Sequence, residues 1–345
     1  MKDSKKNTSK GRKQLETSVA SKIFVTGASG FLGQHLLQTL RNRGFEYTAL
    51  SRTSHDEGFV CGDILDKESL VSVMKGHKIL IHAAGLVSHD PKDSDLLWKL
   101  HVDGTKNVFE VAKELGISKV IYLSTSGTVA VSKEEEEISE NGVSPLPLIK
   151  EWPYYRSKLF AEDIAMSYQS TDMDVISLNP SLLLGPGDRY DGESTKSVRL
   201  LLDKQMPMAP SGGLAFVDVR DVVEAILLSL HHGRGGQRYL LNGCNTLFSE
   251  YYKRLARIAD VPAPLMTMPK QTKGVLGLFP KWKDVGNMLG LDITRYDLLL
   301  ASHFWYCDCS KARTELHWVP RDPLTTLSDT VHDIQKTQDQ YNPWK

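Results

Sequence analysis

The sequence predicts an α/β protein, a doubly wound parallel sheet followed by a smaller C-terminal lobe. Three observations predict it. Short apolar strands alternate with helix-length stretches from Lys22 to Leu178. A glycine-rich turn separates the first strand from the first helix. After Gly185 the alternation weakens and glycine and proline multiply.

The elements follow in order. Lys22 to Thr26 reads as a short buried strand, because strands covered on both faces are continuous apolar runs. Glycines at 27, 30 and 33 follow, then a helical run from His35 to Arg43. Glu46 to Ser51, Phe59-Val60, Lys78 to Ala83 and Lys119 to Ser124 read as strands two to five. Trp98 to Leu115 has helical spacing between the last two. Tyr154 to Tyr168 reads as a helix and Asp174 to Leu178 as the next strand. Ser132 to Trp152, acidic and then proline-rich, reads as a surface insertion. No internal repeat is visible.

Composition narrows the function classes. A chain of 345 residues with 41% hydrophobic residues can bury a large core, as one composite domain or two. Lys+Arg and Asp+Glu are both 42, so no excess charge points to nucleic acid or an anionic membrane. Cys61, Cys244, Cys307 and Cys309 are scattered and read as reduced thiols of a cytoplasmic protein. Cys307-x-Cys309 lacks a second ligand pair, so no metal is expected. No run reaches the ~18 apolar residues of a transmembrane helix. Residues 1–20 are polar and basic, with no apolar core of a secretory signal, and read as a disordered tail rather than a docking segment.

Thr26-Gly27-Ala28-Ser29-Gly30-Phe31-Leu32-Gly33 lies between a predicted strand and a predicted helix. There, glycines permit a tight turn, close backbone approach to a pyrophosphate, and helix packing on a strand. The helix N-terminus offers free N–H groups to phosphate. The spacing is G-x-x-G-x-x-G rather than G-x-G-x-x-G, and many such turns are plain loops; the position favours dinucleotide binding. The second strand ends in Leu50-Ser51-Arg52-Thr53 with no acid before Asp56. An acid there selects NAD and an arginine accommodates the 2′-phosphate of NADP, so Arg52 favours NADP, with NAD as the alternative. Asp63, beside Ile64, suits the adenine amine. Ala83-Ala84-Gly85 lets the cofactor lie close to backbone.

Tyr154 and Lys158 stand four apart, on one helix face. An ammonium near a phenol favours phenolate and lowers its pKa from about 10, poising it for proton transfer to or from a carbonyl or alcohol. Tyr155 competes as a candidate, but its spacing to Lys158 points it elsewhere. Upstream, Ser124-Thr125-Ser126 ends the fifth strand, where ligands of open α/β sheets bind. These hydroxyls also suit a simple strand-ending turn.

Together these motifs resemble the extended short-chain dehydrogenase/reductase superfamily, the NAD-dependent epimerase/dehydratase group, over residues 22–335. The resemblance rests on TGASGFLG, GDILD, IHAAG, VDGTKNV, YLSTSGTV, YYRSK, NPSLLLGPGD and FVDVRDV, in that order. It implies a Rossmann-like NAD(P)-binding domain over 21–185. A substrate-binding lobe would occupy 186–335, with segments returning to the sheet, and a tail 336–345. It implies Ser126 as the residue polarising the substrate oxygen, Tyr154 as general acid/base and Lys158 as the ribose holder. Pro180 to Leu183 would lie along the nicotinamide, and Asp218 to Asp221 would stabilise the lobe junction. His101 stands where the family usually has Asn, which places a local hydrogen bond in question.

Gly127-Thr128 replaces the Asp-Glu pair of sugar-nucleotide dehydratases. Asn179-Pro180-Ser181 followed by Gly185-Pro186-Gly187-Asp188, Phe216 to Asp221, and the Tyr306 to Pro320 segment resemble dihydroflavonol reductase-like and 3β-hydroxysteroid dehydrogenase-like members. The expectation is NADP-dependent interconversion of a ketone and a secondary alcohol. The alternatives are an NAD-dependent nucleotide-sugar epimerase and a non-catalytic NADP-binding regulator. The expected partner is a small carbonyl or alcohol substrate, and the resemblance suggests a homodimer. Pro262 to Phe304 reads as an amphipathic packing segment, with a lid or peripheral membrane patch as the alternatives. Trp282 and Trp305 read as core or lid anchors.

Overall fold

The computed structural model describes residues 22–53, 57–189, 192–206, 208–268 and 299–341. The N-terminal tail, Asp56, and the segment containing Val275 to Phe279, Trp282 and Met288 to Leu291 lie outside the described residues.

The strands are β1 (Ile23–Thr26), β2 (Tyr47–Ser51), β3 (Phe59–Cys61), β4 (Ile79–His82), β5 (Lys119–Leu123), β6 (Asp174–Pro180), β7 (Leu182–Leu184), β8 (Met208–Ala209), β9 (Gly213–Asp218), β10 (Arg238–Leu241), β11 (Cys244–Leu247) and β12 (Met266–Thr267). Seven of them make one sheet in the order β10-β6-β5-β4-β1-β2-β3. All its pairings are parallel. From β1 the chain winds outward through β2 and β3, then returns to β4 and winds the other way. That reversal opens a crevice at the carboxyl ends of β1 and β4.

Both faces of this sheet are covered, which explains the continuous apolar runs. Ile23 and Val25 of β1 point into one core with Ile121, Leu123, Ile176 and Leu178. Phe24 points into the other with Val120, Tyr122 and Val175. Alternate residues thus serve opposite layers, and each is buried. The first layer holds the Phe31–Asn42 and Val219–His232 helices, whose Leu36, Leu40, Val222 and Ile226 interlock. The second holds the Lys67–Met74, Gly104–Glu114 and Pro153–Ser167 helices.

The glycine-turn helix starts at Phe31, four residues before the periodicity suggested. Gly33 hides this start, since it sits inside the helix where a side chain is excluded. A Cβ there would lie 2.2 Å from Gly27 O. The helix expected from Trp98 begins at Ser94, and Lys99–Asp103 forms one π-helical turn between its two α-helical parts. That turn carries His101 inward. Single π turns of this kind often mark functional sites.

A smaller sheet, β11-β9-β7, packs with the Glu193–Leu202, Phe248–Ala259 and Pro323–Tyr341 helices around Phe216, Tyr251 and Leu255. The chain beyond Gly185 also rejoins the large sheet, through the Val219–His232 helix, edge strand β10, and the Ser310–Glu315 helix with fully buried Trp318. The Ser132 to Trp152 stretch is more than a surface insertion. Lys133 to Glu137 are exposed, but Ser132 bridges to Phe304 and Ile138 to Cys307, while Ile149 and Trp152 are buried.

Asp218 joins the parts. It caps the Val219–His232 helix through Arg220 N at 2.9 Å and receives Arg220 Nη2 at 2.7 Å. Arg220 reaches Asp329 at 2.6 Å, and Arg321 binds Asp221 at 2.9 Å. Burial pushes the Asp218 carboxyl up, but the hydrogen bonds and charge of Arg220, then Arg321, outweigh it and hold it below its ordinary value. Asp218→Ala is expected to lower unfolding free energy by about 3 kcal/mol in denaturant titrations at pH 7. A carboxyl with a depressed folded pKa stabilises above its ordinary pKa, and the contribution is lost as pH falls through the folded value. The difference between wild type and variant should therefore shrink below pH 3.8; an equal difference in acid would remove Asp218 as its source.

Candidate active site

The carboxyl ends of β1, β4, β5 and β6 supply the crevice. At β1, Gly27 adopts φ +73, and a Cβ there would meet Ala83 O at 2.3 Å, so only glycine fits between β1 and β4. Gly30 N donates to Gly27 O at 3.1 Å and closes the turn. Ser29 is exposed, Gly30, Phe31 and Leu32 are half-buried, and Gly33 is packed beneath. No side chain caps the helix that begins at Phe31, and its first turn carries no acid. Its leading N–H groups and positive dipole end therefore face the crevice without a side-chain acceptor. His35 Nε2, 2.9 Å from Pro186 O, links this helix to the loop after β7.

The expected ribose and adenine residues fall along one edge. Arg52 is exposed just past β2. Asp63 accepts from Leu65 N at 2.9 Å, Ile64 is buried beside Gly104, and Asn107 Nδ2 donates to Ile64 O at 3.1 Å. At the end of β4, Ala83 N and Ala84 N donate to Thr26 O and Oγ1 at 3.2 and 3.3 Å, which leaves small side chains and the exposed Gly85 at the rim. Pro180 is buried at the end of β6, and Leu183 packs against the core that includes Ala28. Ser181, next to Pro180, has a buried hydroxyl without a protein partner. An orphaned donor at a strand's carboxyl end, a glycine-lined turn and an uncapped helix together fit a dinucleotide.

Ser126, Tyr154 and Lys158 come from two elements meeting at the end of β5. Ser126 opens a 3₁₀ turn directly after the strand and is buried. Tyr154 and Lys158 lie on the Pro153–Ser167 helix, with Pro at its start. Lys158 is buried, and its Nζ donates to Leu123 O at 2.6 Å and Tyr122 Oη at 3.3 Å. Tyr154 lies against the Thr125 hydroxyl. Among the described residues, no side-chain hydrogen bond joins Ser126, Tyr154 and Lys158 to one another.

The electrostatics differ from the sequence expectation. Burial pushes the Tyr154 phenol up to about 12, and Thr125 opposes this only in part. The Lys158 ammonium does not lower it, because that group is turned to the Leu123 carbonyl. Burial also pulls Lys158 down to about 8, against the opposing charge of Glu162. At neutral pH the site therefore holds a protonated phenol and, one turn along the same helix, an ammonium.

His101 restores the local hydrogen bond in question. Its Nε2 accepts from Leu86 N at 3.1 Å, so Nδ1 carries the proton and donates to Ser157 Oγ at 2.8 Å. Ser157 in turn donates to Tyr154 O at 2.9 Å. Burial, then the Lys158 charge, pull His101 down to about 2, so it stays neutral. It ties the loop after β4 to the helix of Tyr154.

One neighbouring cluster is aromatic. Tyr155 stacks on Trp305 with centroids 4.5 Å apart, and Trp152 lies 5.7 Å from Trp305. A Cβ at Gly127 would meet Tyr155 at 2.3 Å, so the glycine admits that ring. Trp305 is thus a core anchor, buried with Trp152, Ile149 and Leu159, and Tyr155 packs on it rather than pairing with Lys158. Sequence reading named Thr125 only as one of three strand-end hydroxyls and did not single out Trp152 or Glu162. Only Glu162 carried a signal, one helical turn beyond Lys158. Among the described residues, no group of three or more His, Cys, Asp or Glu is placed to hold a metal, and no helix is long and apolar enough to cross a membrane.

The sequence and the fold have relatives. A Synechocystis sp. protein of the dihydroflavonol 4-reductase type is 29% identical over 92% of this chain and 96% of its own. The mouse (Mus musculus) decarboxylating sterol-4-alpha-carboxylate 3-dehydrogenase is 24% identical over 92% and 90%. The crystal structure of gox2253 superposes with a TM-score of 0.80 at 26% identity, covering 92% of this chain and 98% of that one. The profile of the NAD dependent epimerase/dehydratase family matches residues 23–241, which span the glycine turn, the hydroxyl turn, the Tyr-Lys helix and edge strand β10. With those elements and that match, the chain belongs to the NAD-dependent epimerase/dehydratase family, as an NAD(P)-dependent oxidoreductase of the extended short-chain dehydrogenase type.

Proposed function

We propose that this protein is an NADP-dependent reductase that interconverts a ketone and a secondary alcohol. The observation that carries the reading is the protonated Tyr154 phenol beside the hydroxyl turn of Ser126, with the buried Lys158 on the same helix held at the end of β5. Held by the glycine turn and the Pro180 to Leu183 strand end, a nicotinamide dinucleotide would supply hydride chemistry, to the carbonyl carbon in reduction and from the carbinol carbon in oxidation. Ser126 Oγ donates a hydrogen bond to the substrate oxygen. Tyr154 gives its proton to that oxygen as negative charge develops, and Lys158 stabilises the resulting phenolate. The residue roles follow from the short-chain dehydrogenase resemblance, and Arg52 at the end of β2 supports NADP over NAD. The two relatives named above point to dihydroflavonol and sterol substrates.

Oxidation of NADPH and NADH, followed in parallel against a panel of ring-bearing ketones, tests the reading. NADPH turnover is expected to exceed NADH turnover. Tyr154→Phe should lower kcat by about 10²–10⁴ while leaving NADPH affinity in place. A fully active Tyr154→Phe enzyme rules the mechanism out, and tightly bound, non-exchanging NAD would favour an epimerase instead.

The pH profile follows from Lys158. Its ammonium is lost as pH rises through about 8, so kcat/KM for ketone reduction should fall on the alkaline side with an apparent pKa near that value. A profile flat to pH 10 would remove the Lys158 charge from catalysis.

The exposed rings of Trp98 and Phe160, 5.4 Å apart, with Leu96 nearby, lie on the helices that start at Ser94 and Pro153. They support a homodimer through these helices. Sedimentation velocity should give a dimer for the wild type and a shift to monomer for Trp98→Glu/Phe160→Glu; a monomeric wild type sinks this assignment.

A further inference from the structure

Glu162 is fully buried on the helix that carries Tyr154 and Lys158. A carboxylate removed from water needs a full set of donors. Its Oε2 accepts from Ser124 Oγ at 2.6 Å, Thr128 Oγ1 at 2.6 Å and Asn179 Nδ2 at 2.9 Å. Oε1 has no hydrogen-bond donor and is faced by the charge of Arg238, whose Nε in β10 lies 3.2 Å away as an ion pair. Ser124 and Thr128 flank the turn that contains Ser126. Asn179 of β6 also donates to Thr125 O at 3.2 Å, and Ser177 Oγ holds its amide oxygen at 2.9 Å. One carboxylate therefore gathers the end of β5, two further strands and the Tyr-Lys helix.

We propose that Glu162 is a positioning residue of the proton-transfer site, fixing the Ser126 turn against the helix of Tyr154 and supplying the negative charge that balances the Lys158 ammonium. The roles of Ser126 and Lys158 in this inference rest on the reductase reading. The groups facing Lys158 are Tyr122 of β5, His82 of β4, His101 of the π-helical turn, and Glu162 of its own helix, with Tyr154 beside Tyr122. Burial keeps both histidines neutral and both phenols protonated. Glu162 is then the anion of this set, and it opposes the fall in Lys158 basicity that burial causes.

Two measurements on the full chain test this. Hydrogen exchange of amides 124–130, without added dinucleotide, reads the turn. NADPH fluorescence titrations from pH 6 to 10 read the Lys158 charge. Glu162→Gln should speed exchange by at least about tenfold, as expected for one lost charge-assisted hydrogen bond. It should also move the alkaline limit of NADPH binding down by about one pH unit. Ser124→Ala/Thr128→Ala keeps the carboxylate, so it should speed exchange yet leave that limit at the wild-type pH. Unchanged exchange in either variant overturns the proposal, as does a Glu162→Gln limit equal to that of wild type. If Glu162→Gln does not fold, exchange in the double variant decides. A wild type that does not bind NADPH defeats the reductase reading, and exchange alone then judges Glu162.

Discussion

The site depends on keeping an ammonium inside the protein. Lys158 is buried beneath the crevice, where water cannot solvate it. The Leu123 carbonyl, the Tyr122 hydroxyl and the face of the Tyr122 ring take water's place. A parallel strand makes this possible: beyond its last ladder bond, its carbonyl is free to accept from a side chain. The same strand end starts the Ser126 turn. The cation and the hydroxyl are therefore placed by one piece of backbone, and the phenol by the helix that delivers the cation.

The neighbouring polar groups are arranged to leave that charge alone. His82 bridges Thr26 and Thr105, and His101 bridges Leu86 and Ser157. Each ring is engaged at both nitrogens, and burial with the Lys158 charge holds both neutral. A second cation there would repel the first. Neutral imidazoles that donate on one side and accept on the other join the strand ends to the helices without adding charge. The π-helical turn serves this end, since the extra residue in the Lys99–Asp103 turn lets His101 face inward while Val102 stays in the second core.

How much of this could be read in the sequence depends on whether the signal was local. The strands were legible because burial on both faces writes continuous apolar runs, and the glycine turn because its residues are adjacent. Tyr154 and Lys158 were legible as one turn of helix. The start of the helix at Phe31 was not, because Gly33 imitates a loop residue while serving helix–strand contact. The protonation states were not either. Spacing put an ammonium near a phenol, but the direction of the Lys158 side chain is fixed by the Leu123 carbonyl, 35 residues away in the chain. The anchoring of Ser132 and Ile138 by Phe304 to Cys307 was equally out of reach, because bridges of that separation leave no periodicity.

The two lobes follow different rules. The large sheet is fixed by apolar burial on both faces and by glycines that admit no side chain, so its crevice has little freedom. The aromatic cluster is assembled from two segments: Trp152 and Tyr155 at the start of the Tyr-Lys helix, and Trp305 from the C-terminal return. Gly127 brings the hydroxyl turn against both Tyr155 and Trp305, because a side chain there would collide with either ring. Lys158 is held by a different contact, the Leu123 carbonyl of β5. Ring packing and cation placement are therefore set by separate interactions, although one helix carries both Tyr155 and Lys158.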